Sequence, residues 1–244
     1  MDSKGDSASP GLTALQDLTW ALVLTAGLSS ALALLWSLPA FFWLIAGVLF
    51  IVLSGCVLRH WLPDSDIGPA NRATLLRATL VIVLFASAPF ADRLGQGVWL
   101  YGILALVALI LDGVDGAIAR ATNSQTEFGA RFDMELDATF LLGLCVAVVA
   151  LDKAGLWVLA LGLMRYGFLI AGCFWRWLNH PLPESFRRKT ICVWQIVSLM
   201  VAILPPISPV FASLALATAL ILLICSFYVD IYWLFQRRTA HATA

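Results

Sequence analysis

With 244 residues, 61% of them hydrophobic and 12% charged, and a mean hydropathy of +0.91, the chain has too little polar surface to cover a soluble globule. Its formal net charge of +0 leaves no basic field to attract nucleic acid. Cys56, Cys145, Cys173, Cys192 and Cys225 are scattered through apolar runs with no CxxC pair, which argues against a disulfide framework or a zinc site. The solvent this chain meets is largely lipid.

The first residues, MDSKGDSASPGLTALQD, carry both signs of charge and no basic n-region, and no small-residue cleavage site follows. The apolar run after them reads as a retained helix, not a signal peptide. From there the chain offers eight stretches near the length needed to cross a bilayer, at 18–36, 38–58, 74–91, 98–119, 132–151, 154–175, 190–210 and 213–235. Open strands leave backbone groups unpaired in lipid, so the expected class is all-α, a polytopic membrane helix bundle. The ten tryptophans mostly flank these spans, as interfacial anchors do.

Orientation follows from the basic residues. With the N-terminus inside, the inner loops and span ends hold Lys4, Arg59, Arg72, Arg77, Arg120, Arg131, Arg176, Arg187, Arg188, Lys189, Arg237 and Arg238. The outer loops hold Arg93 and Lys153, and Arg165 lies within a span. Basic loops stay cytoplasmic, so both termini are expected there, in the plasma or inner membrane if the source is bacterial. The longer inner stretch RHWLPDSDIGPANR (59–72) could lie along the membrane surface as a short interfacial helix.

Chemistry concentrates in residues 112–137, DGVDGAIARATNSQTEFGARFDMELD. Asp112 and Asp115, three apart, share a helix face at the inner end of the fourth span. Asp133 and Asp137, four apart, do the same at the start of the fifth. A hairpin through Asn123 and Ser124 would bring the four carboxylates together. Four anions at close quarters need a positive partner. Hard oxygen ligands in this number suit magnesium, manganese or calcium. A pair of such ions could clamp phosphate oxygens, and one carboxylate could take a proton from an attacking hydroxyl. Solvated helix ends paired to Arg120 and Arg131 are the plainer alternative.

The segment matches the pattern D-x2-D-G-x2-A-R-x8-G-x3-D-x3-D at Asp112, Asp115, Gly116, Ala119, Arg120, Gly129, Asp133 and Asp137. Upstream, Asn71, Thr74 and Arg77 match N-x2-T-x2-R. On these residues the chain resembles the CDP-alcohol phosphotransferase family over about residues 68–235. The resemblance implies a six-helix catalytic core at 61–236, preceded by an appended hairpin at 1–60 and followed by a cytoplasmic tail at 237–244. It implies that Asp112, Asp115 and Asp133 hold Mg2+ or Mn2+, and that Asp137 is the general base and touches a metal. Asn71, Thr74, Gly116, Ala119, Arg120 and Gly129 would line the nucleotide site on the cytoplasmic side. A homodimer is suggested by the resemblance alone.

The donor this implies is CDP-diacylglycerol, with CMP released as a phosphatidyl group passes to a small polar alcohol in phospholipid biosynthesis. The acceptor is less legible. Arg165 in the sixth span, Arg188 and Lys189 at the start of the seventh, and Arg77 could hold a phosphorylated acceptor such as glycerol 3-phosphate. Serine, choline or inositol would serve the same chemistry. His60, His180 and His241 are dispersed, and Asp230 is expected to pair with a nearby arginine. A cation or proton transporter is the rival from another class, since intramembrane carboxylates also line ion paths. It predicts carboxylates at mid-membrane and paired broken helices, and no internal repeat is evident here.

Overall fold

The computed structural model describes residues 10–61, 68–121, 127–180, 183 and 185–242. Among the described residues there are helices and turns and no strand. The helices are α1 (Pro10–Trp36), α2 (Ala40–Trp61), α3 (Gly68–Ser87), α4 (Val98–Ala121), α5 (Glu127–Ala150), α6 (Leu159–Phe174), α7 (Phe186–Ile203) and α8 (Pro209–Ala242). Each expected span thus coincides with a helix.

Among the described residues, five stretches are long and apolar enough to cross a membrane: Leu15–Trp36, Ala40–Arg59, Arg72–Val114, Leu156–Phe174 and Pro209–Gln236. The third takes in both α3 and most of α4. Helix α5 opens with Glu127, Arg131, Asp133, Glu135 and Asp137, and α7 opens with Arg187, Arg188 and Lys189, which dilute their apolar character.

Two boundaries differ from the sequence expectation. The third span, expected to reach residue 91, stops as an α-helix at Ser87 and continues as a 3-10 stretch over Ala88–Gly97. Pro89 has no N–H for the helical ladder, and Gly95 takes a positive φ of 51°. The sixth, expected from residue 154, becomes α-helical only at Leu159, after a 3-10 turn at Leu156–Val158. The proposed surface helix at 59–72 falls partly on residues 62–67, outside those described; its ends belong to α2 and α3.

The chain forms two compact units, Met1–Ser87 with Ile103–Asp137, and Ala88–Gly102 with Ala138–Ala244. In the first, α1, α2 and α3 pack on one another in pairs. Helix α1 buries Leu18, Ala21, Thr25, Ser29, Leu32 and Trp36, a stripe at three- and four-residue spacing. It ends at Ser37, whose φ of 50° lets Leu38 N–H reach the Ala33 carbonyl at 3.1 Å, and Pro39 precedes α2. Helix α3 is buried at nearly every position from Thr74 to Leu84. Arg72 Nε donates to Asp17 Oδ2 at 2.9 Å and ties α3 to α1, an exposed pair worth at most about 1 kcal/mol. Trp20, Leu34, Leu35, Ile51 and Val52 point outward, as lipid-facing residues should.

In the second unit α5 and α6 approach closely at Gly162, where a Cβ would sit 3.0 Å from the Leu142 Cα. Only glycine leaves room for that crossing. Gln195 on α7 is 3% exposed and donates to the Leu161 carbonyl of α6 at 2.9 Å. Ser208 opens α8: its hydroxyl accepts Phe211 N–H at 3.3 Å, and Pro209 takes the first helical position.

Lys153, which the sequence offers as a loop charge, is a helix cap. Its ammonium donates to the carbonyls of Leu204 and Pro205, both at 3.4 Å, and of Ile207. Its own carbonyl accepts the Ser213 hydroxyl at 3.1 Å. Positive charge at the C-terminus of α7 opposes the helix dipole and satisfies carbonyls that the helix cannot. Lys153→Met is expected to cost about 1.5–3 kcal/mol, the range for hydrogen bonds to a charged group, and to lower the Tm in detergent. An unchanged Tm would show that water replaces the ammonium at no cost.

Candidate functional site

The first unit carries the acidic cluster. Asp112 lies on α4, and Asp133 and Asp137 lie one turn apart on α5, so the last two share a face. One carboxylate oxygen from each of the three falls within 4.8 Å of the others. Their side chains are 33%, 40% and 48% exposed, so the cluster opens to solvent at one side. At such separations each pair of carboxylates repels by on the order of 3 kcal/mol before water screens it.

Arg77 is the counter-charge. It is 2% exposed, on α3. Its Nη1 lies 2.6 Å from Asp112 Oδ1 and 2.6 Å from Asp133 Oδ1, and its Nη2 donates to Asp137 Oδ1. A planar fork of five donors is what allows one side chain to reach three carboxylates. The upstream motif explains its placement, because Thr74 and Arg77 are three apart on one helix face, both buried. The sequence reading put Arg77 with the acceptor-binding residues; the structure brings it to the aspartates.

Three negative charges against one positive leave these four side chains at −2. That residue of charge, presented by clustered oxygen donors, fits a divalent hard cation such as Mg2+ or Mn2+. Among the described residues the cluster holds no thiolate or imidazole donor, and its carboxylates suit zinc or copper poorly.

Other expected residues can be placed only in part. Gly116, on α4, and Gly129, on α5, are half-buried. Asn71, Asp115, Ala119 and Arg120 belong to α3 and α4, but their side chains lie outside the described residues, as do residues 122–126 of the expected hairpin. In the second unit Arg165 is half-buried within α6. Arg187 Nη2 pairs with Asp230 Oδ1 at 2.6 Å and its Nη1 donates to the Ser226 carbonyl at 2.8 Å. Arg188 lies 3.6 Å from the same Asp230 oxygen and donates to the Pro183 carbonyl. The expected pairing of Asp230 with a local arginine is therefore present. Lys189 is exposed.

Sequence reasoning passed over Gln195 and the cap at Lys153, and it missed Arg77 as the hub of the cluster. For Arg77 the sequence carries half a signal: it marks a cation at the third motif position of an apolar helix but not which anion that cation meets.

Comparison with known proteins agrees with this arrangement. A model of the CDP-alcohol phosphatidyltransferase family matches residues 67–225, which takes in α3 to α7 and half of α8 and leaves α1 and α2 outside. Ethanolaminephosphotransferase 1 of Homo sapiens is 37% identical over 130 residues, covering 49% of this chain and 33% of that protein. The protein of the same name from Mus musculus is 36% identical over 130 residues with the same coverage. The match thus spans one third of the length of these relatives. No solved structure matches significantly. With more than half its length inside the family match and three of the four aspartates of the family pattern gathered around one buried arginine, this multi-pass membrane chain belongs to the CDP-alcohol phosphatidyltransferase family.

Proposed function

We propose that the chain is a membrane phosphotransferase in which a hydroxyl attacks the phosphorus of a CDP-linked substrate and CMP departs. The observation that carries this reading is the convergence of Asp112, Asp133 and Asp137, from two helices, to within 4.8 Å. A divalent ion held by these carboxylates, with Asp115, would draw charge from the diphosphate oxygens and ease the departure of CMP. Asp137, the most exposed of the three, is the general base: it takes the hydroxyl proton as the oxygen–phosphorus bond forms. Thr74, Gly116, Ala119, Gly129 and Asn71 bound the nucleotide, and Arg120 meets the diphosphate, by the family pattern. The distribution of basic residues supports a cytoplasmic location for both termini and this site.

The name of the relatives favours transfer of a phosphoethanolamine group; in a family of CDP-alcohol chemistry that makes CDP-ethanolamine the donor to test, with a lipid hydroxyl as the acceptor. A second pair, CDP-diacylglycerol with glycerol 3-phosphate, is favoured by the basic run at the start of α7. It is weakened because Arg187 and Arg188 are engaged with Asp230 and with backbone carbonyls.

Purified protein given Mn2+ and either CDP-ethanolamine with diacylglycerol, or CDP-diacylglycerol with a panel of small alcohols, discriminates between these. CMP release with the first pair is the expected result. Release only with glycerol 3-phosphate would reverse the choice of substrates. Ion flux in proteoliposomes without CMP release from any pair would overturn the enzyme reading.

A further inference from the structure

Arg77 presents a conflict that the reaction does not resolve. Its guanidinium is 2% exposed and holds oxygens of the three carboxylates assigned to the divalent ion. An arginine does not lose its proton in a protein, so it cannot withdraw its charge when a second cation arrives. Its burial leaves it little surface to offer an incoming acceptor.

We propose that Arg77 is a built-in counter-ion of the aspartate cluster: it holds the three carboxylates together before the divalent ion enters, and yields part of its contacts when the ion binds. This rests on the reading of the cluster as the metal site. In the absence of metal, three carboxylates within 4.8 Å would drive α4 and α5 apart were no cation between them. The guanidinium supplies that cation from α3, a helix buried along most of its length, so the site is preassembled. The same positive charge opposes the entry of a divalent ion. Arg77 therefore sets the metal affinity lower than the carboxylates alone would give. That suits a site in which the ion is exchangeable and is held best when a diphosphate adds its own oxygens.

The two effects have opposite signs, which makes them separable from a merely structural role. Arg77→Gln should lower the Tm of metal-free protein in detergent and should bind Mn2+ more tightly, by about tenfold, a size typical of coupling between two sites. Free Mn2+ is counted by electron paramagnetic resonance during titration of wild type and variant. The variant's Tm should also rise more on adding Mn2+ than the wild type's does. Equal or weaker Mn2+ binding by the variant overturns the proposal and leaves the metal site standing. No Mn2+ binding by wild type or variant overturns the metal-site reading and the proposal with it. Should the glutamine variant fold only in Mn2+-containing buffer, that rescue supports the proposal. Should it fold in neither, Arg77→Lys carries the comparison, since an ammonium keeps the charge but cannot bridge three carboxylates. A larger Mn2+-induced Tm rise than in wild type is expected there, and an unchanged rise overturns the proposal.

Discussion

Asp133→Ala is expected to lower CMP release by at least about a thousandfold, the kinetic equivalent of about 4 kcal/mol of transition-state stabilisation. Asp133 is one of the three carboxylates whose oxygens lie within 4.8 Å of each other, and it is bonded to Arg77 at 2.6 Å. Its removal takes the charge of the four described side chains from −2 to −1, so a divalent ion would no longer be neutralised. It also frees an arm of a buried guanidinium. Loss of rate should therefore be accompanied by loss of the Mn2+-induced rise in Tm. A variant that keeps both the rate and the rise would remove Asp133 from the metal site. Asp112→Ala, across the cluster on α4, should behave alike, because one ligand set fails as a unit and the two losses should not add.

The fold was largely readable because lipid imposes a strong pattern. Each apolar run in the chain became a helix, since a backbone in hydrocarbon has no other way to satisfy its polar groups. What escaped were local irregularities. Pro89 and Gly95 turn the end of the third span into a 3-10 stretch, and hydropathy cannot distinguish that from a continued α-helix. The aspartates were readable because their spacing alone puts Asp133 and Asp137 on one face of α5. The role of Arg77 was not, because which anion a cation meets depends on how α3 lies against α4 and α5, and no spacing within one helix encodes that. Lys153 illustrates the same limit: its three carbonyl partners lie 51 to 54 residues away, on the turn that ends α7. For Asp230 the sequence indicates a pairing with some nearby arginine but not which one; that Arg187 and Arg188 are the partners changes the argument about substrate more than any motif does.

If Asp137 is the base proposed above, its substitution separates proton transfer from metal binding within the cluster. Asp137→Asn keeps the size of the side chain and one oxygen for Arg77 Nη2, which in the wild type bonds Asp137 Oδ1. It removes the ability to accept a proton from the attacking hydroxyl. Loss of a positioned general base lowers rates by about 10²–10⁴. The fall should appear in kcat, with KM for the CDP-linked substrate little changed, because the lost interaction is made only as the proton moves. The asparagine removes the same unit of charge as Asp133→Ala but leaves an amide oxygen beside Asp112 and Asp133, so a Mn2+-induced rise in Tm should persist, although smaller than in wild type. Asp133→Ala abolishes that rise, and the contrast between the two variants tells a ligand from a base. If Asp137→Asn instead loses the rise completely while a faster-leaving nucleotide restores no activity, Asp137 acts through the ion and the proton must go elsewhere. Among the described residues the only other carboxylates in the cluster are Asp112 and Asp133, each bonded through Oδ1 to the same Nη1 of Arg77. Asp137, at 48% the most exposed of the three side chains, is the one an incoming hydroxyl reaches most readily, and that is the physical reason for assigning the base to it.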